Sequence, residues 1–542
     1  MKRIIYILSI LAMTFNSCED ALEVEQLVSV TNSNYFSTPD EARTALVGCY
    51  DGLQRVWSWG TAFPVASVVA ADLAFGGTGA GDSDNYPMMD EHDVTRAPGQ
   101  DPFAQTWRDY YTAIFRCNTL ILNLENVDWG DETEVRNQIE AEAKFLRAYL
   151  YFDLVRMFER IPLLEEPTKE NIPQSEPNET YELITNDLLF AIDHASDTPY
   201  TGIASGDHGH AHKWAAEALL ARVFLFYTGY YGQSDLMGLV SSSQVLAYLE
   251  NIISDGGFSL VPAFHDLWPA ASTYAAAMRG DSISNATYAG ETNPEVIFAI
   301  KYTFTSDWNG NVDGNHWAVM NGLRNQSWGE FGYGNGWGAC TVVPEFYQSW
   351  DDTDDRKSAS IMAIEEEGIA FDQINDVKEY TGYFTKKYIP TADAEGNSVA
   401  QDVYGGVSFM ISQFQDYFSI RYSDVLLMAA ELGSPNALTY LNAVQERAGA
   451  TLATSVTKDI IFEERRLEFA FEGHRYWDLL RYDQTLQYAA DQISYSGSVM
   501  TGGVIIPKVI DGSNLQFNQG LFKIPSDQIT LSNGVLIQNP GW

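Results

Sequence analysis

Positive charge is scarce in this chain of 542 residues: 32 Lys and Arg stand against 73 Asp and Glu, a net charge of −41. That imbalance excludes the Lys/Arg surface a nucleic-acid binder needs to displace counterions. It also argues against adsorption to an anionic lipid surface. A neutral ligand such as an oligosaccharide meets no such electrostatic barrier. Cysteine is rarer still, four in all, and no disulfide framework is expected. Cys49 and Cys117 fall inside helical patterns and read as buried free thiols. No Gly-x-Ser-x-Gly or His-Glu-x-x-His sequence occurs, so no nucleophile or zinc-protease motif is in view. What the chain has is apolar mass: 45% hydrophobic and 13% aromatic against 19% charged. This composition supports a large folded core.

The first residues give a compartment. Lys2 and Arg3 precede an apolar run, Ile4 to Phe15, of signal-peptide length and too short to span a membrane comfortably. Cys18 follows Ser17 and looks like the acylated cysteine of a bacterial lipoprotein; an ordinary secretory signal cleaved elsewhere is the alternative. Residues 1–17 are thus expected to be a signal peptide and 18–36 a lipid-anchored tether and lead-in.

Helical patterns follow in succession. Thr38-Pro39-Asp40-Glu41 opens a helix to about Leu53. Residues 57–100, with many Gly and Asp, read as a long loop region. Helices are expected at about 105–124, 133–158, 181–194, 213–228 and 243–254, the second carrying the apolar stripe Ile139, Ala143, Leu146, Leu150 and Leu154. The pattern lapses until Arg421, then resumes with 422–432, 435–447 and 458–471. Antiparallel pairs at this spacing predict a mostly α, tetratricopeptide-like scaffold. Its parts are expected at about 38–255 and 417–482, with a loop-rich insertion at about 256–416 and an extension at 483–542.

The stretch Ile461 to Arg481 carries the densest signal. Thr457 or Ser455 can cap its helix and Gly473 can take a left-handed turn before a second short helix. Arg465 with Glu468, Glu472 with Arg475 and Arg475 with Asp478 lie three apart and would share a face. Apolar residues interleave too closely for a surface helix, so some of these ions must be paired near the core, as a structural network rather than an active site.

This stretch closely resembles the C-terminal signature of the SusD/RagB family of outer-membrane nutrient-binding lipoproteins. Ala143 to Val155, Arg421 to Glu431 and the ending Gln538-Asn539-Pro540-Gly541-Trp542 resemble further family signatures in the family's order. Asp351 to Arg356 looks like its Asp–Arg element and reads as structural. Glu19 and Asp20 resemble the acidic surface-export signal of such lipoproteins. The resemblance implies a helix-pair scaffold carrying a large irregular region and no catalysis. It also implies exposure at the cell surface, anchored in the outer membrane by lipid, over a partner TonB-dependent, SusC-like transporter.

The insertion holds the sharpest site signal. Trp308, Trp317, Trp328, Trp337 and Trp350, five of the 13 Trp, crowd a Gly-rich stretch. Flat side chains on such loops suit a sugar ring, which stacks its C–H face on indole or phenol and bonds its hydroxyls to polar neighbours. Trp308, Trp317, Trp328, Trp337 and Tyr333 are the expected platform, with Asn309, Asn311, Asp313, Asn321, Arg324 and Asn325 as polar candidates; the alternative is a small core for the insertion itself. The first loop is a second candidate, with Asp72, Asn85 and Tyr86, because the family often contributes to its ligand surface there. No cofactor is expected. Asn309, Asn311, Asp313 and Gly314 imitate the start of a calcium loop, but Met320 stands where a bidentate Glu belongs, so a structural calcium is only weakly indicated. His208, His210 and His212 read as a polar helix start rather than a zinc site. An oligosaccharide is the expected ligand and a peptide the runner-up. A glycoside hydrolase would need two carboxylates about 5 to 10 Å apart across a cleft.

Overall fold

A computed structural model describes residues 35–58 and 63–542. The signal-peptide region, Cys18, Glu19 and Asp20 lie outside them. Helices pack as a chain of neighbours: Pro39–Ser58 on Ala104–Asn123, which packs on Thr133–Phe158, then Pro177–His194, Lys213–Tyr231 and Ser242–Asp255. The pair Tyr422–Glu431 and Ala437–Arg447 continues this stack by docking on Ser242–Asp255, although more than 160 residues intervene. The expected tetratricopeptide-like scaffold is what forms. Its boundaries follow local chemistry: Glu176 and Glu179 make a capping box before Pro177–His194, and Ser241 and Gln244 another before Ser242–Asp255. Pro435 precedes its helix instead of opening it, because the Ser434 hydroxyl accepts from Asn436 N–H in a turn. None of the helices among the described residues is long and apolar enough to cross a membrane.

Within the region expected as the insertion, residues 301–416 are bracketed by one antiparallel strand pair, Val296–Ile300 with Tyr417–Arg421, in which Val296 faces Arg421 and Ile300 faces Tyr417. Beyond it stands a four-stranded sheet in the order Ala74–Gly77, Ala339–Val342, Tyr383–Thr385, Ile361–Ala363. The region expected as loop before residue 100 therefore supplies an edge strand and the helices Phe63–Val69 and Asn85–Asp90. No local periodicity announces the strand, since its partner Ala339–Val342 lies about 260 residues away in sequence. One core cluster runs from Phe36 to Leu536 and takes in scaffold and insertion alike.

The charges of the signature are indeed in the core, but they pair differently from expectation. Arg465 bridges Asp424 (2.5 Å) and Asp478 (2.8 Å), Arg475 binds Asp72 (2.8 Å), and Glu472 meets Arg421 (2.9 Å) and Lys387 (2.6 Å). Their partners come from other elements because the helix ends at Glu468, with Phe471 and Gly473 at positive φ, which rotates the following residues off its face. Arg421, 1% exposed, also bonds Glu295 and Glu468, and Glu468 receives Arg447 and Arg356 too. Burial alone would raise the Glu468 carboxyl, yet Arg447, Arg421 and Arg356 hold it far below the ordinary carboxylate range. Arg356, fully buried against Asp354 and Glu464, shows the Asp–Arg element to be part of this network. Cys49, Cys117 and Cys340 are free and buried.

Burial also sets a pH optimum for stability. It depresses His92, His212, His265 and His316 to about 4 and His474 well below its ordinary range. The unfolded chain binds these protons more readily, so stability is lost as pH falls below about 6.5. Burial raises Asp153 and Asp416 to about 6, Glu217 to about 7 and Glu291 to about 8. Their contribution is complete below about pH 4 and is lost as pH rises through 6 to 8. The two trends predict a maximum in melting temperature between about pH 6 and 7, checked by thermal scans across pH. A melting temperature rising steadily to pH 9 would contradict it.

Candidate functional site

The site grows out of the neck of the insertion. Past Ile300 the chain forms a hairpin over residues 303–313, closed by Thr303 N–H to Asp313 O (2.8 Å) and Asp307 N–H to Asn311 O (3.0 Å). Its tip is held by Asp307, whose carboxylate accepts from Asn309 N–H (2.7 Å) and Asn311 N–H (3.2 Å). The polar run that imitates a calcium loop is thus spent on the hairpin's own turn. Trp308 rides at this tip, 58% exposed, beside the exposed Asn309.

The returning strand is preceded by residues 404–414, and the two segments meet ring to ring. Phe304 lies 5.6 Å from Tyr404 and 6.2 Å from Phe414, and Tyr404 lies 4.8 Å from Phe414. Tyr404 is 52% exposed, with Val403 and Val407 exposed beside it. This apolar edge was not foreseen; the signal for it was Val403-Tyr404-Gly405-Gly406-Val407 followed by Phe409 and Phe414. At the base of both segments Lys301 pairs with Asp416, and Asp416 accepts from Tyr302 N–H (2.9 Å) and donates its own N–H to Glu291 (3.1 Å). Gly314 lies where a Cβ would collide with the Ile411 carbonyl oxygen. Gly314→Ala is therefore expected to part the two segments and speed amide exchange across 303–313 and 404–414 at least tenfold, with the scaffold helices unchanged.

A second group lies one short helix away. Asn315 caps His316–Met320 and ties it to Gln413 (2.6 Å), and Val319 O at its far end accepts from Trp337 N–H (2.8 Å). Trp337, partly exposed, meets His316 edge-on at 5.4 Å. Behind it Arg324 pairs with Asp376 (3.1 Å) and Asp82 (3.7 Å), while Asn325 bonds Asp376 (3.0 Å). The first loop is therefore drawn to the insertion and pinned there, its Asp84 also held by Lys378 (2.6 Å).

The remaining expected site residues lie elsewhere. Trp317 is 2% exposed, packed on Tyr388 and Tyr417, and Tyr333 is fully buried with its hydroxyl on Glu367 (2.8 Å). Both are core residues, as burial of so much ring area would favour. Trp328 is partly buried in the insertion's own small cluster. Tyr86 is 8% exposed, and Asp72 is consumed by Arg475, so neither presents a free face at the platform. Asn85, partly buried, keeps its side-chain oxygen inside. Of the expected site residues, Trp308 and Asn309 are exposed and Trp337 and Arg324 partly so; Trp317, Tyr333 and Tyr86 are buried, and the Asp72 carboxylate is taken by Arg475.

The strongest acidic cluster, Asp90, Glu91 and Glu379, already surrounds an ammonium: Lys508 Nζ lies 2.7, 2.9 and 2.6 Å from them. A divalent cation there would have to displace a buried lysine. His212 caps its helix through Nδ1, accepting from Ala215 N–H (3.2 Å), and His210 bonds Glu142 (2.7 Å), so the alternating histidines are turned to separate tasks. Glu291, whose carboxyl is raised, lines a hollow of about 20 Å³ with Lys301, and Lys301, the partner of Asp416, also lines a cavity of about 320 Å³.

Known proteins share this architecture. A model of the SusD family matches residues 370–542, and a model described as starch-binding and associating with the outer membrane matches residues 80–225. SusD-like protein P2 of Formosa agariphila is 24% identical over the whole length of both chains. A laminarin-binding SusD-like protein of solved structure is 26% identical, with a TM-score of 0.71, covering 94% of this chain and 100% of its own. Surface glycan-binding protein A from Bacteroides thetaiotaomicron, solved with laminarihexaose, has a TM-score of 0.72 at 23% identity, covering 93% of this chain and 100% of its own. With the scaffold, the signature network and these likenesses in agreement over nearly the whole chain, the comparisons support a protein of the SusD/RagB family.

Proposed function

We propose that this protein is a cell-surface glycan-binding lipoprotein that captures an oligosaccharide and delivers it, unaltered, to a partner TonB-dependent, SusC-like outer-membrane transporter. The observation that carries the reading is the exposed ring surface of Trp308 and Tyr404, backed by Phe304 and Phe414, on two segments held in register by one strand pair. Rings fixed this way stack on a sugar at little ordering cost, and Asn309 and the neighbouring carboxylates offer hydroxyl partners. Lipid on Cys18 would keep the site beside the transporter, where tethering raises the ligand's effective concentration. The likeness to proteins named for laminarin and laminarihexaose makes a glucan the first ligand to try.

Capture without cleavage is favoured by the likeness to proteins named for the glycan they bind. The test is calorimetry of the chain lacking residues 1–18 against a glycan panel including laminarihexaose, with reducing ends followed in parallel. Saturable binding without new reducing ends is expected, with Kd between about micromolar and millimolar. Cleavage, or binding of peptides alone, would overturn the reading.

A further inference from the structure

A second cavity, of about 460 Å³, sits on another part of the molecule and shares no lining residue with the aromatic platform. Its walls come from the turn at Asp72, the helix Pro344–Ser349, Arg466 of the signature helix and the segment around Gln492 to Ser496. The volume lies within the range of small-ligand pockets and suits one or two sugar rings. Of its lining rings Phe346, under the Arg466 guanidinium at 4.6 Å, and Phe75, against Tyr495 at 4.9 Å, are buried, and Tyr495 is the one partly exposed.

The polar geometry singles out the ligand's chemistry. Asp72 is already fixed, accepting from Arg475 Nε (2.9 Å) and Nη2 (2.8 Å). Arg466 is fixed too, by Phe346 beneath it and by Glu463 on Nη1 (3.1 Å). Its Nε is nonetheless buried and without a hydrogen-bond partner, and stands 3.7 Å from Asp72 Oδ2. That gap is too long for a hydrogen bond, and both groups are held too firmly to close it. A hydroxyl placed between them accepts from Arg466 Nε–H and donates to Asp72. Asp72 and Glu345 offset the Arg466 charge that would otherwise draw an anion, and an apolar ligand would leave the buried donor unmet.

We propose that this cavity is a second binding site, for a single neutral sugar ring, with Arg466 and Asp72 sharing one ring hydroxyl and the partly exposed Tyr495 ring taking the C–H face. It is independent of the platform, so the test uses the Trp308→Ala/Tyr404→Ala double variant of the chain lacking residues 1–18. Saturation-transfer NMR with methyl β-D-glucopyranoside is expected to show residual binding, with Kd on the order of millimolar. Arg466→Met should weaken it about tenfold or more. Ser496→Trp, on an exposed strand position lining the cavity, should abolish it by filling the space while the fold is kept. No saturation transfer in the double variant, or transfer untouched by both Arg466→Met and Ser496→Trp, would overturn the proposal and leave the gap to a bridging water.

Discussion

Replacing Trp308 and Tyr404 together by Ala is expected to weaken glycan binding about a hundredfold, each ring contributing about 1–1.5 kcal/mol, or roughly tenfold. The two rings are more than half exposed, so their loss removes little packing and the melting temperature should hold. Trp317→Ala provides the contrast. That ring is 2% exposed between Tyr388 and Tyr417, and its loss should cost about 3–5 kcal/mol of stability through the cavity it leaves. Calorimetric titration with laminarihexaose beside a thermal melt separates the two outcomes. If the double variant binds as tightly as the parent, the rings on the neck hairpins are not the platform.

The largest stability effect is expected at Arg421. Its guanidinium joins Glu295, Glu468 and Glu472, all with fully buried side chains. Arg421→Met leaves these carboxylates short of one cation in a place water does not reach. Breaking a buried network from one side costs about 3–5 kcal/mol, far beyond the net worth of any one pair. Arg108, paired with Asp527 at the surface with both side chains more than 40% exposed, is the control; Arg108→Ala should change stability by less than about 1 kcal/mol. Chemical denaturation of the two variants measures the difference. Equal stabilities would mean that the buried ions are spectators. Because Arg421 ends the strand pair at the neck of the insertion, its loss should also loosen the 303–313 hairpin, linking stability to ligand binding.

The helices were legible because each carries its own apolar period and its own stop signals. Thr133–Phe158 falls where its stripe and the following Ile161-Pro162 place it. The resemblance of Ile461 to Arg481 to the family signature is likewise a property of the sequence alone. The candidate site was legible only in kind. Crowded Trp and Gly in the insertion marked an aromatic loop system, yet Trp308 at a hairpin tip and Trp317 in the core look alike as sequence. Tyr404 and Phe414 were missed because nothing local distinguishes a ring that will meet Phe304 across a hundred residues.

The same division runs through the charges. Alternation of ions with apolar residues was enough to say that the signature's Arg and Glu lie near the core, because an exposed helix has no use for so many apolar neighbours. Their partners were another matter: Arg475 goes to Asp72 and Glu472 to Arg421, since a positive φ at Phe471 and Gly473 turns the chain away from its own helix. Periodicity is a property of neighbours along the chain, and it fixed the scaffold. Exposure and pairing are properties of what arrives from far away, and only the closed strand pair and the packed core decided which rings face solvent and which ions meet.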